Sequence, residues 1–229
     1  MTLLLGVDTS GKNGSLAVAR ALPGRREIDV LDVMPLTGGA FSAQLVPQIA
    51  ALLEKHGHSK HDLGAFAVVS GPGSFTGLRV GLAAIKALAE VLEKPIVAIS
   101  LLEAVACSGK AHGRVFAVLD AGRGDVYVGD YDLGPEVPTL AQMRSERLLS
   151  GEQFVSAAEG KAVVTPDSAL AERIRAVGLQ VELIEYPNGG ALARLGWQHL
   201  QRGETVRPEQ LEANYIRHSD AEIFSKPGM

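Results

Sequence analysis

The chain has 229 residues, enough for one large domain or two small ones, each with a core of its own. Apolar residues make up 46% and charged residues 21%, a globular balance, and a net charge of −4 with no run of Lys or Arg argues against a protein that grips RNA or DNA by itself. The apolar run 3–7 is too short to span a membrane and lacks the basic start and cleavage region of a secretory signal; Cys107, the one cysteine, has no internal partner for a disulfide, and a cytoplasmic protein with a buried thiol is expected.

Residues 2–7 read as a buried strand that ends in the polar turn Asp8-Thr9-Ser10-Gly11. Residues 15–19 and 28–33 are two further strands, and three strands joined by short turns make an antiparallel meander. Gly38-Gly39 opens a loop. Residues 42–56 are a helix with Leu45, Ile49, Leu52 and Leu53 on its core side; Pro47 lacks an amide donor, so the helix begins just before it or bends there, and Gly57 stops it. A β-branched strand at 65–69, a Gly-rich turn, a helix at 78–92 and a strand at 96–100 follow. This succession opens a ribonuclease-H-like half, the unit that forms each half of the actin-like ATPase fold.

The second half starts with strands at 115–120 and 125–131 around the turn Ala121-Gly122-Arg123-Gly124, an echo of residues 3–19. Pro135 and Pro138 mark a loop. Ser150-Gly151-Glu152-Gln153 has capping-box spacing and begins a short helix. Residues 162–165 are a strand, 168–177 a helix and 181–185 a strand, and Asn188-Gly189-Gly190 precedes a helix that runs to Gln201. Tyr215-Ile216-Arg217-His218 is expected to pack back on the body. The fold class is therefore α/β, an actin-like ATPase (ribonuclease-H-like) fold of two related subdomains, residues 1–110 and a smaller one at 111–229.

The chain is organised around Ser70-Gly71-Pro72-Gly73-Ser74-Phe75-Thr76-Gly77, which joins the 65–69 strand to the 78–92 helix. Gly73 and Gly77 permit left-handed backbone or a close approach of another segment, and Ser74 and Thr76 are candidate N-caps. The spacing matches neither the phosphate loop, since no Lys follows Gly77, nor the dinucleotide fingerprint, in which the glycines stand closer together. The helix is apolar on two stripes: Leu78, Leu82, Ile85, Ala89 and Leu92, and Val80, Ala84, Ala87 and Val91. One sheet covers a stripe of roughly 100°. Either the helix is enclosed in its own domain, or it packs on its sheet and also on a partner's helix, with Gly81, Ala84 and Ala87 allowing close approach.

Leu5-Gly6-Val7-Asp8-Thr9-Ser10, the 70–81 stretch, Asp120-Ala121-Gly122-Arg123-Gly124-Asp125-Val126-Tyr127 and Asn214-Tyr215-Ile216-Arg217 occur in an order that resembles the TsaB (YeaZ) family over nearly the whole chain. Asp120-Ala121-Gly122-Arg123 departs from the family's usual Asp-Ala-Arg-Arg. The resemblance implies an actin-like-fold protein without catalysis of its own. Such a protein pairs with TsaD, which transfers threonylcarbamoyl to adenosine 37 of tRNAs that read ANN codons, supports the ATPase TsaE, and forms homodimers when alone. It would touch tRNA only through that complex. The expected partner surface is Leu78, Val80, Gly81, Leu82, Ala84, Ile85, Ala87 and Val91, with Leu45 and Ile49 of the preceding helix.

TsaD relatives carry His-x-x-x-His for a metal, and the corresponding positions here are Leu101 and Val105, whose aliphatic side chains are no ligands. No metal site and no catalytic residue is therefore expected, and a metallopeptidase reading is disfavoured. His56, His58 and His61 match no metal spacing, and His112, His199 and His218 stand alone without a placed carboxylate. Asp8, Thr9 and Ser10 occupy the place where actin-like ATPases hold magnesium and phosphate. With Asp120, Gly122 and Gly189-Gly190 they keep ATP or ADP binding, or an ATPase, as the alternative to a cofactor-free scaffold.

Overall fold

The computed structural model describes residues 1–37, 39–135 and 141–217; Gly38, Pro138 and His218 lie outside them. The first sheet has the order β3-β2-β1-β4-β5, formed by β1 (Thr2–Asp8), β2 (Gly14–Ala21), β3 (Asp29–Leu36), β4 (Leu63–Gly71) and β5 (Ile96–Ser100). β1, β2 and β3 are an antiparallel meander, and β4 and β5 add in parallel to β1. α1 (Phe41–Lys55) and α2 (Phe75–Leu92) connect them as crossovers, and α3 (Leu101–Ser108) follows β5 directly. Pro47 sits inside α1 on its exposed side, where the turn that lacks its amide donor faces solvent.

The second sheet repeats the plan: β6 (Gly113–Gly122), β7 (Asp125–Leu133), β8 (Gln142–Ser150), α4 (Gly151–Ala158), β9 (Ala162–Thr165), α5 (Ser168–Ala176), β10 (Val181–Leu183) and α6 (Gly189–Gln201). Its order is β10-β9-β6-β7-β8, the first sheet's order read from the other edge. The reduction is measurable: α4 and α5 have 8 and 9 residues where α1 and α2 have 15 and 18. β8 was not foreseen in the sequence; it is the third strand of the meander that the echo required.

The two closing helices are exchanged between the halves. α6 packs along β1, β2, β3, β4 and β5 of the first sheet, while α3 packs on β6 and β7 of the second. Glycines set the distance. A Cβ on Gly6 would lie 2.3 Å from the Gly189 carbonyl oxygen, and one on Gly196 would lie 2.4 Å from Ala67 Cβ. Gly189-Gly190 thus serves helix-to-sheet packing, and the Gly189 amide donates to Ser15 Oγ at 2.8 Å. Most buried apolar residues of the two sheets' facing layers form one core, and a second core of Phe116, Val118, Val126, Val128 and Phe154 lies behind the second sheet.

α6 begins on Asn188, whose Oδ1 accepts from the amides of Gly190 and Ala191 at 2.9 and 3.3 Å. Asn188→Ala should cost about 1 kcal/mol. Since about 2–4 °C of Tm corresponds to 1 kcal/mol at this chain length, a drop of that size in a calorimetric scan is the expected result.

Candidate functional site

The Gly-rich loop binds the chain's own first turn. Ser74 N donates to the Ser10 carbonyl at 2.6 Å, and Thr9 Oγ1 donates to the Gly77 carbonyl at 2.8 Å. A Cβ on Gly73 would stand 2.6 Å from Ser10 Cβ, one on Gly77 2.0 Å from the Thr9 carbonyl oxygen, and one on Gly81 2.2 Å from Thr9 Oγ1. The glycines are required by close approach of backbone to backbone, not by a phosphate. Ser74 is the N-cap of α2 and accepts from the Gly77 amide at 3.3 Å, while Thr76 lies inside the helix. The Gly71–Pro72 bond is cis, and Gly71 has φ of 139°.

This clamp decides the fate of Asp8, Thr9 and Ser10. They are 1%, 1% and 3% exposed. Asp8 Oδ1 accepts from Ser10 N at 2.8 Å and from Ser10 Oγ at 2.6 Å. Burial raises the Asp8 pKa, against the lowering effect of those hydrogen bonds. A nucleotide's phosphates and hydrated cation would have to displace the α2 loop to reach this turn. The three residues form a structural joint with the α2 loop, and their side chains are nearly closed to solvent.

The expected partner surface divides in two. Leu78, Gly81, Leu82 and Ile85 of α2, and Leu45 and Ile49 of α1, are buried in the chain's own core. They are corrected out of the docking surface: a side chain already covered by its own sheet has little apolar area left to lose. The other stripe of α2 faces outward. Val91 is 73% exposed, Ala83 and Ala87 are exposed, and Val80 and Ala84 are half-buried. α1 packs beside α2 and adds Val46, 53% exposed, with exposed Ala43 and Ala50. Small side chains on two adjacent helices let a third and fourth helix approach closely.

At its N-terminal end this stripe meets an exposed aromatic group. Phe75 is 40% exposed, the Arg79 guanidinium carbon lies 3.6 Å from its ring centroid, and the Tyr215 ring is 5.1 Å away. Arg79 Nε also donates to Tyr215 Oη at 3.3 Å. The tail is thereby tied to α2, and further to the body: the Asn214 amide donates to the Ser70 carbonyl at 2.8 Å, and Asn214 Nδ2 donates to Glu146 at 2.6 Å. Between the halves, next to these residues, lies a cleft of about 360 Å³ lined by Gly73, Phe75, Arg123, Tyr127 and Arg217. Arg217 is ion-paired with Asp125 at 2.5 Å. Val46, Ala83 and Phe75 were missed from the sequence although Ala83 stands four residues before Ala87; Tyr215, expected to pack back on the body, meets Arg79 of α2 across 136 positions.

Leu101 and Val105 lie on α3 at 3% and 0% exposure, inside the core. Among the described residues no group of three or more His, Cys, Asp or Glu side chains is placed to hold a metal. Two histidine expectations change. His56 is half-buried at the end of α1, with Nε2 3.0 Å from Asp32 Oδ2. His199 is not isolated: its ring lies between Glu103 at 2.9 Å and Glu204 at 2.5 Å.

Two five-stranded mixed sheets of one order, with exchanged closing helices, define an actin-like ATPase fold built from ribonuclease-H-like halves. A family model described as TsaD, tRNA N6-adenosine threonylcarbamoyltransferase, matches residues 35–202. The tRNA threonylcarbamoyladenosine biosynthesis protein TsaB of Escherichia coli is 30% identical over 196 residues, 78% of this chain and 81% of that protein. TsaB of Bacillus subtilis is 34% identical over 129 residues, 56% of this chain; that match spans 54% of the relative's length. YeaZ from Pseudomonas aeruginosa superposes with a TM-score of 0.76 at 26% identity, covering 94% of this chain and all of that one. The chain belongs to the TsaB (YeaZ) family.

Proposed function

We propose that this chain is a non-catalytic partner of a TsaD transferase in the pathway that forms N6-threonylcarbamoyladenosine at position 37 of tRNAs reading ANN codons, and that it works with the ATPase TsaE in a three-protein assembly. The observation that carries the reading is the outward stripe Val80, Ala83, Ala84, Ala87 and Val91 on α2, beside Val46 of α1. Its side chains are small and apolar, and water covers them in the isolated chain. The names of the two TsaB relatives support the pathway. The aliphatic pair Leu101 and Val105 supports a silent subunit, and the buried turn 8–10 speaks against an ATPase that uses that turn. In the absence of TsaD the same stripe pairs two copies of the chain. Contact with tRNA runs through the complex, no cofactor is needed, and the assembly works in the cytoplasm.

The experiment mixes TsaD, TsaE, tRNA, ATP and threonylcarbamoyl-adenylate with and without this chain, and quantifies the modified nucleoside by mass spectrometry. The expected result is product in quantity only when this chain is present. Equal yield without it would overturn the proposal, as would product formed by this chain without TsaD.

A further inference from the structure

His199 and Glu103 join the two exchanged helices. α6, which spans the first sheet, carries His199 in its last turn; α3, which lies on the second sheet, carries Glu103. His199 Nε2 is 2.9 Å from Glu103 Oε1, and His199 Nδ1 is 2.5 Å from Glu204 Oε2 in the turn that follows α6. The His199 side chain is 16% exposed, Glu103 12% and Glu204 50%.

The donor inventory of imidazole ties the ring's protonation to that of its two carboxylate neighbours. A neutral ring has one N–H and one acceptor nitrogen, and a carboxylate only accepts. Two ring nitrogens, each within hydrogen-bond distance of a carboxylate oxygen, are both satisfied only when both carry protons. With both glutamates ionised, the ring that satisfies both contacts is the imidazolium. Removal of one proton leaves a nitrogen lone pair facing a carboxylate, and if that carboxylate is Glu103 the unsatisfied charge is buried, which is costly.

The geometry points to a pH-sensitive joint between the two halves: protonated His199 locks α6 to α3 through Glu103, and loss of its proton loosens the pair of exchanged helices. Consider every charge that faces it. From the turn beyond α6 comes Glu204, and from α3 comes Glu103. Two further groups feel the Glu103 charge. Burial is the main cause that pushes the Cys107 thiol on α3 up to about 12 and the Tyr131 phenol on β7 upward, so both stay neutral while His199 titrates. For His199 itself burial favours the neutral ring, but hydrogen bonds and charge from Glu103 and then Glu204 outweigh it, and the net direction is upward. The sign follows. A folded-state value above the ordinary one of about 6.5 gives stability that is fully present below pH 6.5 and is lost as pH rises through the folded value.

The test is an NMR titration of the histidine ring signals in the full chain, joined to amide hydrogen exchange. In the wild type the His199 ring should titrate with a midpoint above the ordinary imidazole value of about 6.5. Glu103→Gln should lower its midpoint by about one unit, tenfold in proton affinity. If that variant does not fold, the exposed Glu204→Gln supplies the same measurement with a smaller shift. Amide exchange in α3 and α6, corrected for intrinsic base catalysis, should accelerate through the His199 midpoint in the wild type and show no such step in His199→Gln. A His199 midpoint at or below about 6.5 would overturn the proposal. So would an unchanged exchange step in His199→Gln.

Discussion

Ala84→Glu should abolish association of this chain with TsaD and with itself, while its circular dichroism spectrum and Tm stay near those of the wild type. Ala84 is half-buried and Ala87 exposed on α2, so a longer side chain at either position reaches water in the isolated chain, and Glu is a good helix former. In a complex the same carboxylate sits between packed helices. An unpaired charge at such a place costs about 3–5 kcal/mol, and each 1.4 kcal/mol is tenfold in affinity. The loss is therefore about a hundredfold or more. Ala87→Arg tests the same face with the opposite sign; its long stem carries the charge toward the rim, so its effect should be the smaller of the two. Analytical ultracentrifugation and co-purification read both. Retained association in both variants would place the docking surface elsewhere, because no partner helix packs closely over an unmatched charge of either sign.

Which parts of this were legible in the sequence follows from how local each signal was. The α2 stripes are set by spacing along one helix, and they were read correctly as two apolar faces. Which stripe belongs to the chain's own sheet was not legible: Leu78 and Val80 are equally apolar, and the sheet decides. Leu78 is 1% exposed, while Val80 keeps contact with water. Gln142–Ser150 escaped notice because it is an edge strand with polar side chains on its open side; its pairing with β7 is what makes it a strand. Leu101–Ser108 drew notice only through Leu101 and Val105, since eight residues apolar on nearly all sides, wedged between two sheets, carry no helical period. Asp8-Thr9-Ser10 looked like a phosphate turn by residue type. The loop that seals it is more than sixty positions later in the chain. His199 met its partner Glu103 across 96 positions, beyond the reach of any spacing argument.

The internal duplication explains why these long-range contacts carry so much. Each half ends in a helix that packs on the other half's sheet, so neither sheet is fully covered by its own segment of chain. The contacts that cross between halves are therefore part of each half's core, and α2 is tied to the tail by the bond from Arg79 to Tyr215. A surface meant to present a fixed pair of helices to a partner benefits from such a backing, because less ordering entropy remains to be lost on binding.

The largest loss of stability should follow the smallest addition of atoms, Gly77→Ala. Two effects oppose each other. Alanine is better than glycine inside a helix by about 1 kcal/mol, and Gly77 stands in the first turns of α2 with no left-handed backbone to forbid a side chain. Against this, the new Cβ would lie 2.0 Å from the Thr9 carbonyl oxygen, well inside contact distance, and the obstacle is backbone that no rotamer change can move. Overpacking of this kind costs about 1–3 kcal/mol and occasionally more. The clash also pushes Thr9 Oγ1 off the Gly77 carbonyl, to which it donates at 2.8 Å, and so removes a buried hydrogen bond. The steric terms win, with a net loss of about 2 kcal/mol or more, or about 4–8 °C in Tm at 2–4 °C per kcal/mol. Ala83→Gly on the exposed side of the same helix is the control: it loses only the propensity of about 1 kcal/mol. Chemical denaturation should therefore rank Gly77→Ala below Ala83→Gly, although helix propensity alone ranks them the other way round. A Gly77→Ala variant as stable as the wild type would mean that the loop stands clear of the first turn.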